Sequence, residues 1–154
     1  MFNVVLIEPE IPPNTGNIAR LCLATRSRLH LVEPLGFSVN DRQLRRAGMD
    51  YWHVVDVQYW KSLAEFETVT RPPLKRRFLL TTKSTRKYWE AKFREGDYLV
   101  FGRETKGLPE SLLLSNAENC LTIPMVSDAR SLNLATAVAI VLFEGIRQIH
   151  CDGD

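Results

Sequence analysis

Short apolar runs alternate along the chain with stretches of helical periodicity, and that alternation predicts an α/β fold with a mostly parallel sheet flanked by helices. Runs at residues 3–7, 29–32, 54–57, 77–81, 98–101 and 120–123 predict strands, and residues 17–25, 41–47, 62–68, 109–115 and 132–149 predict helices. In the first helix Ile18, Leu21, Cys22 and Thr25 share one face. Pro109 suits a first helical position, where its missing N–H costs nothing. From Leu134 to Phe143 the last helix is apolar almost all round, yet it is shorter than the about 20 residues a membrane span needs. A helix apolar on every side is expected to be covered on every side, and in a domain this small one side is expected to meet a second subunit. No repeat, low-complexity tract or linker interrupts the pattern, so a single domain over 1–154 is expected.

Composition narrows the class further. At 154 residues, 45% apolar and 25% charged, the chain can build one core without a metal or disulfide staple. Cys22, Cys120 and Cys151 lie far apart, as do His30, His53 and His150, so neither a Cys-x-x-Cys pair nor a metal site is expected. An odd thiol count and a start without a basic export segment make the reducing cytoplasm the expected location. Trp52, Trp60 and Trp89 read as core or interface residues rather than base-stacking platforms.

The net charge of +2 conceals one basic block. Residues 71–94 hold nine Lys/Arg and one acid, against seven basic and eight acidic residues in 1–70 and four and nine in 95–154. Such a block attracts phosphate, and a solvated loop would carry it equally well.

Open α/β sheets bind ligands outside the carboxyl ends of their strands, and three polar loops stand there. The first, after residue 7, runs Glu8-Pro9-Glu10-Ile11-Pro12-Pro13-Asn14-Thr15-Gly16-Asn17; its prolines stiffen it, Asn14, Gly16 and Asn17 suit a turn or cap, and Arg20 can reach back over it. The second, Gly102-Arg103-Glu104-Thr105-Lys106-Gly107-Leu108-Pro109, spaces two glycines as a Walker loop does but has Leu-Pro where Lys-Ser/Thr is required. A Gly-x-Gly-x-x-Gly fingerprint is also missing, so ATP hydrolysis and NAD binding lose their support. A buried or ligand-facing Glu104 would need a partner, and Arg20 is an available one. In the third loop, 124–133, Ser131 is placed to cap the last helix or to face a ligand, with no Gly-x-Ser-x-Gly elbow to make it a nucleophile.

In combination the three loops resemble the SPOUT superfamily of knotted, S-adenosylmethionine-dependent RNA methyltransferases, and within it the small tRNA (cytidine/uridine-34)-2′-O-methyltransferases. The likeness runs from Phe2 to about Gln148 and rests on Asn14-Thr15-Gly16-Asn17 with Arg20, Phe101-Gly102 with Glu104 and Gly107-Leu108, and Ile123-Pro124-Met125 with Ser131-Leu132-Asn133-Leu134. Glu8–Pro13 and Leu44-Arg45-Arg46-Ala47-Gly48 strengthen it. The resemblance implies a parallel sheet with a C-terminal trefoil knot, a homodimer, and no metal. It implies that the backbone around Leu80, Gly102 and Ile123, with Ser131, holds S-adenosylmethionine, and that Gly107, Met125 and Leu132 shape the pocket. Arg20, Asn14, Glu104 and Asn133 match the catalytic positions. The resemblance implies that Arg20 activates the 2′-hydroxyl; because arginine stays protonated, phosphate positioning and lowering of the hydroxyl pKa are the preferred assignment, with a base role left open. Lys75, Arg76, Arg77, Lys83, Arg86 and Lys87, with Arg42, Arg45 and Arg46, become candidates for the anticodon stem-loop backbone. Arg103 and Lys106 depart from the commoner proline and arginine and raise the question of loop rigidity. Methylation of another tRNA or rRNA ribose, and a non-catalytic RNA-binding dimer, stand as alternatives.

Overall fold

The computed structural model describes residues 1–48 and 52–151, with the side chains of Arg45, Ala47 and Cys151 outside the described set. Six parallel strands form one sheet: β1 Asn3–Ile7, β2 Arg28–Val32, β3 Val57–Trp60, β4 Arg77–Leu80, β5 Tyr98–Phe101 and β6 Cys120–Leu121, in the order β3-β2-β1-β5-β4-β6. Alternation along β1 sends Val4 and Leu6 to one face and Val5 and Ile7 to the other. The first face is covered by α1 (Pro12–Ala24) and α5 (Leu134–Cys151) through Ile18, Cys22, Val138 and Leu142. The second is covered by α3 (Leu63–Thr70) and α4 (Glu110–Ser115) through Phe66, Leu112 and Leu113. The remaining helix, α2 (Arg42–Gly48), packs on α1.

Several boundaries differ from the sequence expectation. Helix α1 begins at Pro12, five residues before the expected 17, because Pro12 and Pro13 occupy its first positions, where a fixed φ and a missing donor favour a helix. Asn14, Gly16 and Asn17 are therefore helical residues rather than a turn. Strand β3 is shifted three residues from 54–57, since pairing with β2 selects Val57–Trp60 and leaves Val54 exposed. Strand β6 stops at Leu121 rather than 123, and Thr122 instead bridges Lys87. The last helix is capped by Asn133, whose Oδ1 accepts from Ala135 N (2.9 Å) and Thr136 N (3.3 Å), not by Ser131. Its outer side is open: Phe143 is 50% exposed, while Val138, Val141 and Leu142 are buried. Of the tryptophans, Trp52 packs against the core and Trp60 packs on Phe66, while Trp89 is 51% exposed.

One buried group makes the fold pH-sensitive. His30 lies among Trp60, Phe66 and Tyr98, with Nδ1 accepting from Trp60 Nε1 (3.0 Å) and Nε2 donating to Asn3 Oδ1 (3.1 Å). Both nitrogens are thus committed to the neutral ring, and burial, reinforced by the Arg28 cation, pushes the pKa down from 6.5 to about 4. Unfolded His30 binds a proton below pH 6.5 and folded His30 only below about 4. Its contribution is therefore complete above pH 6.5 and falls as pH drops toward 4, by about 3 kcal/mol in all. Urea unfolding of the wild type and of His30→Gln between pH 7.5 and about 4 should show that slope in the wild type only. Parallel slopes in the two proteins would refute it.

Candidate functional site

At the carboxyl end of the sheet the first two loops are tied to each other. Glu8, at φ 53°, turns the chain sharply out of β1, and its N–H donates to Val32 O at 2.8 Å. Beyond β5 the chain reverses within five residues: Arg103 N donates to Gly107 O (3.1 Å), Gly107 N to Arg103 O (2.9 Å), and Gly107 takes φ 66°. Three contacts join the loops. The Arg103 guanidinium pairs with the Glu8 carboxylate, Nε lying 2.6 Å from Oε2. Thr105 donates to Glu10 Oε1 through Oγ1 (2.7 Å) and through its backbone N–H (3.2 Å), and these bonds hold the Glu10 carboxyl below its usual range. Glu104 accepts from the backbone N–H of Glu10 (2.8 Å) and of Ile11 (3.0 Å). Arg103, the departure from proline, thus anchors the loop through its charge instead of through a ring.

Glu104 begins a polar relay. Asn14 Nδ2 donates to Glu104 Oε1 (3.4 Å), Asn133 Nδ2 donates to Asn14 Oδ1 (2.9 Å), and Asn133 Oδ1 caps α5. Both amide oxygens are occupied and each amide donates one N–H within this chain, so three of the four expected catalytic residues form one connected unit across 119 residues of sequence. The expected Arg20–Glu104 pair does not form. Glu104 is satisfied by amides, and Arg20 is an exposed residue of α1 without a hydrogen bond or ion pair among the described residues. Asn14 faces the N-terminal mouth of the helix, and Arg20, six residues on, emerges on its solvent side.

Above β4, β5 and β6 these loops enclose a cavity of about 580 Å³, within the range of small-molecule sites. All seven expected cofactor residues line it: Leu80, Gly102, Gly107, Ile123, Met125, Ser131 and Leu132. Asn14, Glu104 and Asn133 line it too, and Arg20 does not. The wall at Gly102 admits no side chain, because a Cβ there would stand 2.1 Å from the carbonyl carbon of Gly107. Apolar side chains with Ser131 and loop backbone suit a flat heterocycle and an extended polar tail, so the residues present fit the expected cofactor.

The basic block divides. Arg76 pairs with buried Asp97, and Arg77 is itself buried, bonded to Glu67 (2.6 Å) and Asn116 (2.8 Å), so neither is free to hold RNA as expected. Sequence reasoning missed this because a run of like charges does not reveal acids that approach from residues 67 and 97. Arg86 is half-buried and donates to Glu118 O (2.9 Å), which also makes it a structural residue. Lys75, Lys83, Arg42 and Arg46 are exposed, Lys87 is half-buried, and only Lys83 of these borders the cavity. Glu8, Glu10 and Thr105 carried no expected role. Their sequence signal was membership of the same two loops and, for Glu8 and Glu10, of the Glu8–Pro13 run that strengthens the resemblance.

A twofold-covered parallel sheet with a ligand cavity built from strand-end loops defines an α/β enzyme of the type that binds its cofactor at the carboxyl edge. The chain belongs to the SpoU rRNA Methylase family, whose profile matches residues 1–143. It is 49% identical over 154 residues to a tRNA (cytidine(34)-2′-O)-methyltransferase of Escherichia coli (strain K12), covering 99% of this chain and 97% of that one. A solved structure concerned with the 2-OH methylation of C/U34 on tRNA superposes with a TM-score of 0.89 at 45% identity, covering 96% of this chain and 95% of the other. An AdoMet-bound rRNA methyltransferase from Sinorhizobium meliloti superposes at 0.83 with 25% identity, over 95% of this chain and 56% of that one. Among the described residues no helix is long and apolar enough to cross a membrane, and no group of three or more His, Cys, Asp or Glu side chains could hold a metal ion.

Proposed function

We propose that this chain is a single-domain cytoplasmic enzyme that methylates the ribose 2′-hydroxyl of the wobble nucleotide, cytidine or uridine 34, in the tRNA anticodon loop. The observation that carries the reading is the convergence of three separated loops, matching a tRNA (cytidine(34)-2′-O)-methyltransferase along nearly the whole chain, on one cavity. S-adenosylmethionine, when bound, supplies an electrophilic methyl group. Leu80, Ile123, Met125 and Leu132 exclude water from that cavity, and the backbone around Gly102 and Gly107 approaches it without side chains. The Glu104–Asn14–Asn133 relay holds the loops in register, which matters because in-line transfer requires alignment more than covalent help. Arg20, which stays protonated, holds the neighbouring phosphate and stabilises the oxyanion that develops as the hydroxyl releases its proton to water.

A homodimer completes the arrangement. The reading is supported by the exposure of Asn17 and Arg20 on α1 and of Phe143 on α5, two helices that touch, and by a cavity that has no Arg20 of its own chain, which a second copy would supply. A trefoil knot is supported by the surroundings of Thr122. Thr81 N donates to Leu121 O (2.9 Å) on one edge of β6, while Thr122 N donates to Arg86 O (2.8 Å) and Tyr88 N to Thr122 O (2.9 Å) on the other, so residues 81–88 pass around the strand. Beyond it, Gln148 of α5 donates to Ala91 O (3.1 Å) and accepts from Phe93 N (2.8 Å).

Mass spectrometry of tRNA from a strain lacking this protein should show nucleotide 34 without its ribose methyl, restored when the protein is supplied. Loss of a methyl at another ribose would replace the substrate assignment, and no change at any ribose would favour a non-catalytic RNA-binding protein.

A further inference from the structure

We infer that Lys83, Lys106 and Arg130 form a clamp for an RNA phosphodiester at the mouth of the cavity; the inference rests on the reading of this chain as an RNA ribose methyltransferase. The three cations come from three different loops, after β4, after β5 and after β6, and all three are exposed and border the same cavity. Among the described residues none of their side chains makes a hydrogen bond or an ion pair. The remaining cation of the wall, Arg103, is engaged by Glu8. The one carboxylate of the wall, Glu104, turns its oxygens to the amides of Glu10 and Ile11 and to Asn14, away from a role as counter-ion. Lys106 acts on Glu10 only through space, and that carboxylate is already bonded to Thr105.

Three unneutralised positive charges around one opening repel one another, and the arrangement is relieved by an anion that reaches all three. A cofactor carboxylate carries a single negative charge and binds inside the cavity. A strand crossing the mouth presents one phosphate with every nucleotide, at the rim where these side chains lie. Such contacts hold the backbone without reading the base, and would place the ribose over the cavity.

The test uses the full chain with an anticodon stem-loop RNA, measuring affinity by fluorescence anisotropy across a salt series and S-adenosylmethionine affinity by calorimetry. Lys106→Ala and Arg130→Ala should each weaken RNA binding and lower the slope of log affinity against log salt by about one, with cofactor affinity unchanged. Lys106→Arg should retain the wild-type slope. Weakened cofactor binding with an unchanged RNA slope would overturn the clamp in favour of a carboxylate site, and an unchanged slope in both alanine variants would overturn it outright. If the wild type binds RNA through these residues yet leaves nucleotide 34 unmethylated, the substrate reading fails and the clamp stands. Methylation of that nucleotide with Lys106 and Arg130 dispensable for RNA binding is the reverse result.

Discussion

Gly102→Ala should lose S-adenosylmethionine binding by at least about tenfold and unfold about 3 kcal/mol more easily. The added Cβ would stand 2.1 Å from the carbonyl carbon of Gly107, 2.3 Å from its oxygen and 2.3 Å from Leu108 N. All three are backbone atoms, so no rotamer change relieves the overlap. The turn can yield only by breaking the pair of hydrogen bonds between Arg103 and Gly107, which also pulls Glu104 and Thr105 away from Glu10 and Ile11. Urea denaturation and calorimetric titration measure the two effects. Gly96→Ala is the control: no atom lies within 4 Å of its Cβ position, and only its φ of 87° is unfavourable. It should cost about 1 kcal/mol and leave cofactor affinity as it is. Wild-type cofactor affinity in Gly102→Ala would mean that the tight turn is not part of the binding wall.

Arg20→Ala should reduce methyl transfer at saturating cofactor by at least about 100-fold while cofactor affinity stays within a factor of two or so. The separation follows from placement: Arg20 is exposed on α1 and does not border the cavity, so nothing that holds the cofactor depends on it. Protein stability should be nearly unaltered, because the side chain has no bonding partner among the described residues to lose. Single-turnover assays with tRNA, alongside calorimetry, separate transfer from binding. Near-normal turnover in Arg20→Ala would remove Arg20 from the reaction, and Arg20→Lys should recover only part of it, since a point charge cannot hold a phosphate bidentately.

Much of the cavity was legible in the sequence. Seven residues from four separated segments were expected at a cofactor site, and all seven line one space. They were legible through the likeness of the three loop motifs to SPOUT methyltransferases, whereas spacing and turn chemistry alone fit a plain capped turn equally well. The Arg20–Glu104 pair was not legible, since opposite charges in two loops suggest an ion pair while the amides of Glu10 and Ile11 leave no trace in side-chain identity. Likewise, a capping serine and a capping asparagine two residues apart are equivalent in sequence, and only the direction in which α5 leaves its loop selects Asn133.

Local chemistry in the sequence determined the elements, the alternation that puts Val4 and Val5 on opposite faces, and the residue types that the loops require. Tertiary structure decided everything that depends on which distant atoms meet. It neutralised Arg76 and Arg77 against Asp97 and Glu67, joined Asn14 to Asn133 across 119 residues, and left Lys83, Lys106 and Arg130 unpaired around one opening. The physical reason is range. Periodicity and turn preference act over a few residues of chain, whereas charge pairing and hydrogen bonding act over a few ångströms of space, and only the folded sheet relates the two distances.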